Sequence, residues 1–310
     1  MRSKVVAVKD YREVPLEIPA FLPDKAALEK EMSRLQTPFI TWQAGDTVSN
    51  GDMVCCSLSS SAARFQKDQV RFVAGMGMFH HQLEDLSLGM QVGETAAIEL
   101  PEGSVSLRVL EVKKRIIPPL SDEMVKAQGL EGVHTLEEYR RYLLDQQLEQ
   151  ALNEACYSLV NQVEQAVLFH SEFILCKEDW KQAVTLELDR CRAIARQDGM
   201  VLEEMTPQQF EGKIPVKSYE ELVAMTQDTC WDTLRCYLLG QVYAQEDGFT
   251  VNEQGYAAFI QEYCAMWHLS EDQAKAAQTF QVYSYNQWSG HAYQVWRNYV
   301  TQQFLAKNKQ

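Results

Sequence analysis

Two adjacent prolines, Pro118 and Pro119, constrain this chain more than any other feature. A proline cannot donate to a strand ladder and breaks a helix interior, so neither residue fits inside a central strand or mid-helix. They mark a boundary between two kinds of sequence. Before them, from Gly51 to about residue 115, lie the short strand-like runs MVCCSLS, RFVAGM, TAAIEL and VSLRVLEVKK. Glycines and one helical stretch separate these runs. After them the strands stop and everything reads as helix.

The helical half begins with a capping box, Thr135 with Glu138. Leu144, Leu148, Leu152, Ala155, Leu159, Val163 and Val167 follow at helical spacing. A helix over 135–170 would run roughly 50 Å at ~1.5 Å per residue, so the chain must turn back to bury that stripe. Later stripes serve this purpose: Trp180 to Ala195, a second opened by Ser218 and Glu221, a third at Tyr256 to Trp267, and a last at Trp288 to Val300. About two thirds of the Met and aromatic residues in this half are expected in the core, the remainder lining a concave apolar surface. Ahead of Gly51, Val6, Val8, Val14, Leu16 and Ile18 suggest extended chain over residues 5–18. Pro23 and Asp24 open a helix carrying Ala27, Leu28, Met32 and Leu35, and TPFITWQAGDTVSNGD reads as loop.

Charge excludes some partners. The net charge of the 310 residues is -14, whereas nucleic acids and anionic membranes reward concentrations of Lys and Arg. Neither is expected as a partner. Residues 51–115 are nearly balanced, with 7 basic and 8 acidic side chains, so the acidity lies elsewhere. The eight cysteines show no CxxC spacing, and several sit beside Leu, Val or Trp at helix-face positions. They read as small apolar residues in a reducing compartment. The N-terminus lacks a signal-peptide core and no apolar run spans a bilayer, so the expected location is cytoplasmic.

The stretch GMGMFHHQLEDLSLGMQVGE, residues 75–94, invites chemistry. A dinucleotide fingerprint fails because His80 occupies the last glycine position and no βαβ unit surrounds it. A metal site lacks a third ligand, and adjacent His80 and His81 would diverge by roughly 100° on a helix. Glu84 and Asp85 read as a solvated charge pair. Phe79, Leu83 and Leu86 instead form one face of a short helix ended by Gly89, laid across a small sheet over an apolar pocket.

The order GDMVCCSLS, RF, FVAGMG, FHHQLEDLSLGMQVGE and LRVLEVKKR resembles the FKBP-type prolyl isomerase domain. The flanks KDYREVPLEIPAFLPDKAALEKEMSRLQ and IIPPLSDEMVKAQGLEGVHTLEEYRRYLLDQQLEQALNEA are similar to the entry into and exit from that domain in the bacterial chaperone trigger factor. The resemblance implies an α+β chain. A small FKBP-like antiparallel sheet with one short helix would attach to a larger all-α arm domain. Residues 1–50 would form an entry strand and helix packed on the helical domain, 51–117 the isomerase-like domain, and 118–310 the chaperone-type helical domain. The family's basic GFRxGKxP-type loop and its ribosome-docking domain have no counterpart here, so ribosome docking is not expected.

Carried across by position, the family's pocket falls on Leu58, Phe65, Gln66, Phe72, Phe79, His80, Leu83 and Leu107, with Val105 an alternative to Leu107. The family's Asp becomes Gln66, its floor Trp becomes Leu83, and its long flap shrinks to PEGS between Leu100 and Val105. These departures weigh against efficient isomerisation. The same residues equally suit the plain core of a sheet-plus-helix domain, with His80 packed or at the surface. The resemblance implies a chaperone for unfolded or nascent polypeptide; an active isomerase or a partner-specific adaptor are the alternatives. No cofactor or metal is implied, the Walker pattern for ATP is missing, and a homodimer closing two cradles together is compatible with the pattern.

Overall fold

The computed structural model describes residues 1–211 and 216–309. In chain order its elements are β1 (Lys4–Ala7), α1 (Lys25–Arg34), β2 (Thr41–Gly45), β3 (Met53–Ser60), β4 (Lys67–Val73), α2 (His81–Ser87), β5 (Thr95–Leu100) and β6 (Gly103–Ile116). There follow α3 (Asp122–Lys126), α4 (Leu136–His170), β7 (Glu172–Ile174), α5 (Lys177–Gln197), α6 (Pro207–Phe210), α7 (Tyr219–Asp247), α8 (Glu253–Trp267), α9 (Glu271–Ala277) and α10 (Phe280–Asn308). The fold is α+β. Two units account for it, Pro23–Leu148 and a second made of Met1–Leu22 with Glu149–Gln310. The segment expected as one piece over 1–50 is therefore divided after Leu22.

The unit of residues 23–148 is built on β6, whose 14 residues pair antiparallel with β3 on one side. On its other side β5 pairs along Arg108 to Gly103 and β2 along Val112 to Ile116. β4 completes the sheet beyond β3. Alternation places Val54, Cys56 and Leu58 of β3 inward with Val105, Leu107 and Val109 of β6. Cys55 pairs with Glu111 and Cys56 with Val109, so Leu110 is an extra residue. This bulge resets the alternation and brings Val112 to the core as well. β5 and β6 are joined by Pro101 and Glu102 alone, since Leu100 pairs with Gly103.

Three expectations change here. The stretch expected as loop contains β2, whose side chains are mostly exposed and so give no strong alternation. Extended chain over 5–18 shrinks to β1, with a short turn of 3₁₀ helix at Tyr11–Glu13. Phe79 precedes the short helix rather than starting it, because His80 has extended backbone and serves as its N-cap. α1 belongs to this unit: Leu35 at its end packs with Met124 and Val125 of α3. Gln36 donates to the carbonyl of Pro118 at 2.7 Å.

In the helical unit, β1 pairs antiparallel with β7, a strand where only helix was expected. Long helices begin at caps readable in the sequence. Ser218 accepts from Glu221 N at 3.2 Å, and Thr279 accepts from Val282 N at 3.2 Å. Trp296, Val300 and Phe304 of α10 are wholly buried, as are Leu234 and Leu239 of α7. At Gly240 α7 and α10 are in close contact: a Cβ there would lie 1.8 Å from the carbonyl oxygen of Trp288. Among the described residues no helix is long and apolar enough to cross a membrane.

Candidate functional site

The stretch that follows β4 turns at Gly75 and Gly77, both with positive φ (74° and 69°), a conformation glycine adopts without strain. A side chain at Gly75 would also collide with Asn50. The chain then folds back over Glu84 of α2. Glu84 has no solvent exposure. Its carboxylate accepts from Gly77 N at 2.6 Å, Phe79 N at 2.7 Å and His80 N at 3.2 Å. Burial pushes its pKa up, but the backbone donors of Phe79, Gly77, His80 and Met76 outweigh that and hold it below the ordinary carboxylate range. The positive end of α2 favours the same charge. Glu84 is thus a buried anchor and not the solvated half of a charge pair. Asp85 fills that role, facing His81 Nδ1 at 3.0 Å in the open.

A loop pinned this way cannot retract its apolar side chains. Met76, Met78 and Phe79 are 53%, 84% and 40% exposed. The Phe79 ring lies parallel to Phe72, centroids 5.4 Å apart with 3° between planes. Phe72 itself is core, so the exposed ring is seated on a rigid base. His80 meets Phe65 edge to face at 5.6 Å, and its Nδ1 is buried with no hydrogen-bond partner. On Phe65 the guanidinium of Arg64 also rests, 4.5 Å from the ring centroid.

The eight residues singled out by position separate into three groups. Leu58, Phe65, Phe72, Leu83 and Leu107 converge, together with Val105, in one closed core. Leu83 and Leu107 have no exposed area and so present nothing to a ligand as the chain stands. Gln66 is exposed, and its side-chain oxygen accepts from Ser60 N at 3.0 Å, holding the turn after β3. Phe79 and His80 stand at the rim. Position matching missed Met76, Met78 and Glu84. The first two carried a visible signal, methionines beside Gly75 and Gly77 in the run GMGM. Glu84 carried none beyond an acid near a helix start.

The helical unit has its own exposed apolar groups. An open concavity of about 1300 Å³ is lined by Val14, Pro15, Leu168, Phe169 and Phe173, between the acids Glu13 and Glu17 and the Arg235–Asp232 pair. Phe169, in the last turn of α4, is 82% exposed. Met266 and Trp267, which end α8, are 70% and 59% exposed, whereas Phe210, Tyr243, Tyr256 and Tyr283 are core. Among the described residues no three His, Cys, Asp or Glu side chains converge as metal ligands would.

No family model matches the chain. Curated relatives do. Trigger factor of Aquifex aeolicus is 26% identical over 160 residues, covering 46% of this chain and 34% of its own length. Trigger factor of Mesoplasma florum is 22% identical over 224 residues, 66% of this chain and 49% of its own length. That of Corynebacterium jeikeium is 25% identical over 227 residues, 66% of this chain and 43% of its own length. This chain is trigger-factor-like. It spans between a third and a half of the length of these three relatives. A solved trigger factor chaperone, described in terms of promiscuous substrate recognition in folding and assembly, aligns over 98% of the trigger-factor-like chain and 79% of its own. At 18% identity and a TM-score of 0.40, that alignment adds nothing to the sequence relationship.

Proposed function

We propose that this trigger-factor-like protein is an ATP-independent chaperone of the cytoplasm that holds unfolded or nascent polypeptide through weak apolar contacts. The observation that carries the reading is the display of Met76, Met78 and Phe79 on a loop fixed from beneath by Glu84. Methionine and aromatic side chains adapt to varied partners, and apolar groups kept exposed at some cost mark interaction surfaces. Phe169 and the Met266–Trp267 pair give the helical unit, which we read as a cradle, matching apolar contacts. The net charge of -14 keeps such a surface soluble.

Residues 51–117 are then an FKBP-like domain that has lost efficient isomerisation. Isomerisation must lower a barrier of about 18–20 kcal/mol on one peptide bond. Polar groups placed for the displaced carbonyl would supply that help. Gln66 is engaged with Ser60, and the two-residue turn at Pro101 and Glu102 leaves no flap to close over a substrate.

The test is suppression of aggregation of several unrelated denatured proteins, without nucleotide. Protection of all of them, reduced in the double variant Met78→Ser with Phe79→Ser, is the expected result. Protection of one protein alone would make this an adaptor. Acceleration of cis–trans exchange in an Xaa-Pro peptide, lost in Phe79→Ser, would make it an isomerase.

A further inference from the structure

Sulfur side chains are the ones a peroxide attacks first, and exposure decides which of them it reaches. The chain has 11 methionines and 8 cysteines. Six of the cysteines are buried, and Cys176 and Cys264 are half-buried. Met32, Met90 and Met124 lie in closed cores. Met53 is half-buried on β3, and Met200, Met205 and Met225 pack against the core of the helical unit. Met1, Met76, Met78 and Met266 stand in the open.

Two of these four differ from the others in what holds them. Gly77 N and Phe79 N, on either side of Met78, donate to Glu84 at 2.6 and 2.7 Å. The same carboxylate takes the backbone N–H of Met76. The backbone that carries both methionines is tied to a buried charge, so no small shift of the loop draws their side chains under cover. Space around the loop is open: apart from its chain neighbours, nothing lies within 4 Å of where a Cβ on Gly77 would stand. Of the three exposed apolar groups there, Met76, Met78 and Phe79, two carry sulfur. Met266 ends α8 beside the exposed Trp267, and its oxidation leaves the indole as apolar area.

We propose that Met76 and Met78 are a paired oxidation site whose modification switches off the apolar loop. The oxidant is hydrogen peroxide. The thioether sulfur gives two electrons to one peroxide oxygen, the O–O bond breaks, an S=O bond forms and water leaves. Each sulfoxide sets a polar oxygen where the loop offered an apolar contact. A methionine sulfoxide reductase reverses the step: two thiols become one disulfide and the sulfoxide oxygen leaves as water. The effect on function rests on the loop holding unfolded polypeptide, as proposed above, whereas the selectivity of the oxidation does not.

The test treats the folded full chain with dilute hydrogen peroxide and maps sulfoxide by peptide mass spectrometry. Affinity is then titrated with a permanently unfolded polypeptide, reduced and carboxymethylated α-lactalbumin. Sulfoxide is expected at Met76 and Met78 well before Met32, Met90 and Met124. Affinity should fall about tenfold, the ratio set by burying one polar group without a partner. The loss should persist in dithiothreitol, which reverses cysteine disulfides, and recover with a methionine sulfoxide reductase. The ratio of untreated to treated affinity locates the effect. It should be close to one in the double variant Met76→Leu with Met78→Leu, whatever that variant's own affinity, and as in the parent in Met266→Leu.

Slow oxidation of Met76 and Met78, undiminished affinity of the oxidised chain, or an equal loss in the double leucine variant would each overturn the proposal and leave the chaperone reading standing. An untreated chain that holds no unfolded polypeptide would overturn that reading, and the switch with it. If the double variant does not fold, recovery on the unaltered chain must track reduction at Met76 and Met78, and recovery without it overturns the proposal.

Discussion

Replacing Glu84 by Gln tests whether the exposed loop is held or merely resting. The carboxylate accepts three backbone hydrogen bonds and is fully buried. A Gln side chain keeps one acceptor oxygen and turns an NH₂ group toward the remaining donors. At least one charge-assisted bond is lost, worth about 1.5–3 kcal/mol, and with it the favourable charge at the start of α2, about 0.3–1 kcal/mol. The expected destabilisation is therefore about 2–4 kcal/mol. Hydrogen exchange read by mass spectrometry is the suitable assay, because it reports residues 75–90 apart from the helical unit. Faster exchange at Gly77, Phe79 and His80 should accompany a lower unfolding midpoint. The pH dependence carries a second signature. A folded carboxylate held below its unfolded pKa contributes stability that is fully present above the unfolded value, about 4.3 for Glu. That stability is lost as pH falls through the folded value. Asp52 has the same sign: burial opposes ionisation, but Lys114 and the backbone of Ser49 and Arg115 outweigh it. The native sheet unit should thus lose stability in acid below about pH 4, and Glu84→Gln should flatten part of that loss. A variant within about 0.5 kcal/mol of the parent, with unchanged exchange in the loop, would refute the anchoring argument.

Other perturbations follow from the same packing. Gly240→Ala drives a methyl group into the Trp288 carbonyl and should cost about 3 kcal/mol or more, measured as a shift in denaturant midpoint; a shift under a third of that would mean α7 and α10 adjust freely. Phe72→Ala should cost about 3–5 kcal/mol as a core truncation, whereas Phe79→Ala should cost about 1 kcal/mol or less yet reduce holding of denatured protein. Equal stability losses in the two would show that Phe79 is core. Burial pushes the Cys56 thiol up to about 12, so alkylation at pH 8 should mark the partly exposed Cys176 and Cys264 first and leave Cys56 until unfolding. Early labelling of Cys56, seen by peptide mapping, would contradict the closed sheet core.

Much of the fold was legible in the residues. The period-two alternation of Val54, Cys56, Leu58 and of Val105, Leu107, Val109 marks strands because one face is dry. The capping pair Thr135 and Glu138 marks the start of α4, and both reciprocal bonds are present, at 2.9 and 3.2 Å. β2 was not legible, since an edge strand with mostly exposed side chains shows no alternation to read. β7 has three residues and depends on β1, more than 160 positions earlier, for its pairing.

Position in the sequence singled out aromatic and aliphatic residues for the pocket that the resemblance implies, but could not say which would close on one another. Leu83 and Leu107 vanish into the core while Phe79, four residues from Leu83, stays at the surface. Only the extended backbone at His80 decides this, by lifting Phe79 off the helix. The pinning of the loop by Glu84 is likewise a tertiary fact. Local pattern determined where strands and helices form, because burial of one face repeats along the chain with the period of the element. It could not determine which side chain meets which donor, because those partners are set by folding in three dimensions and leave no periodic trace.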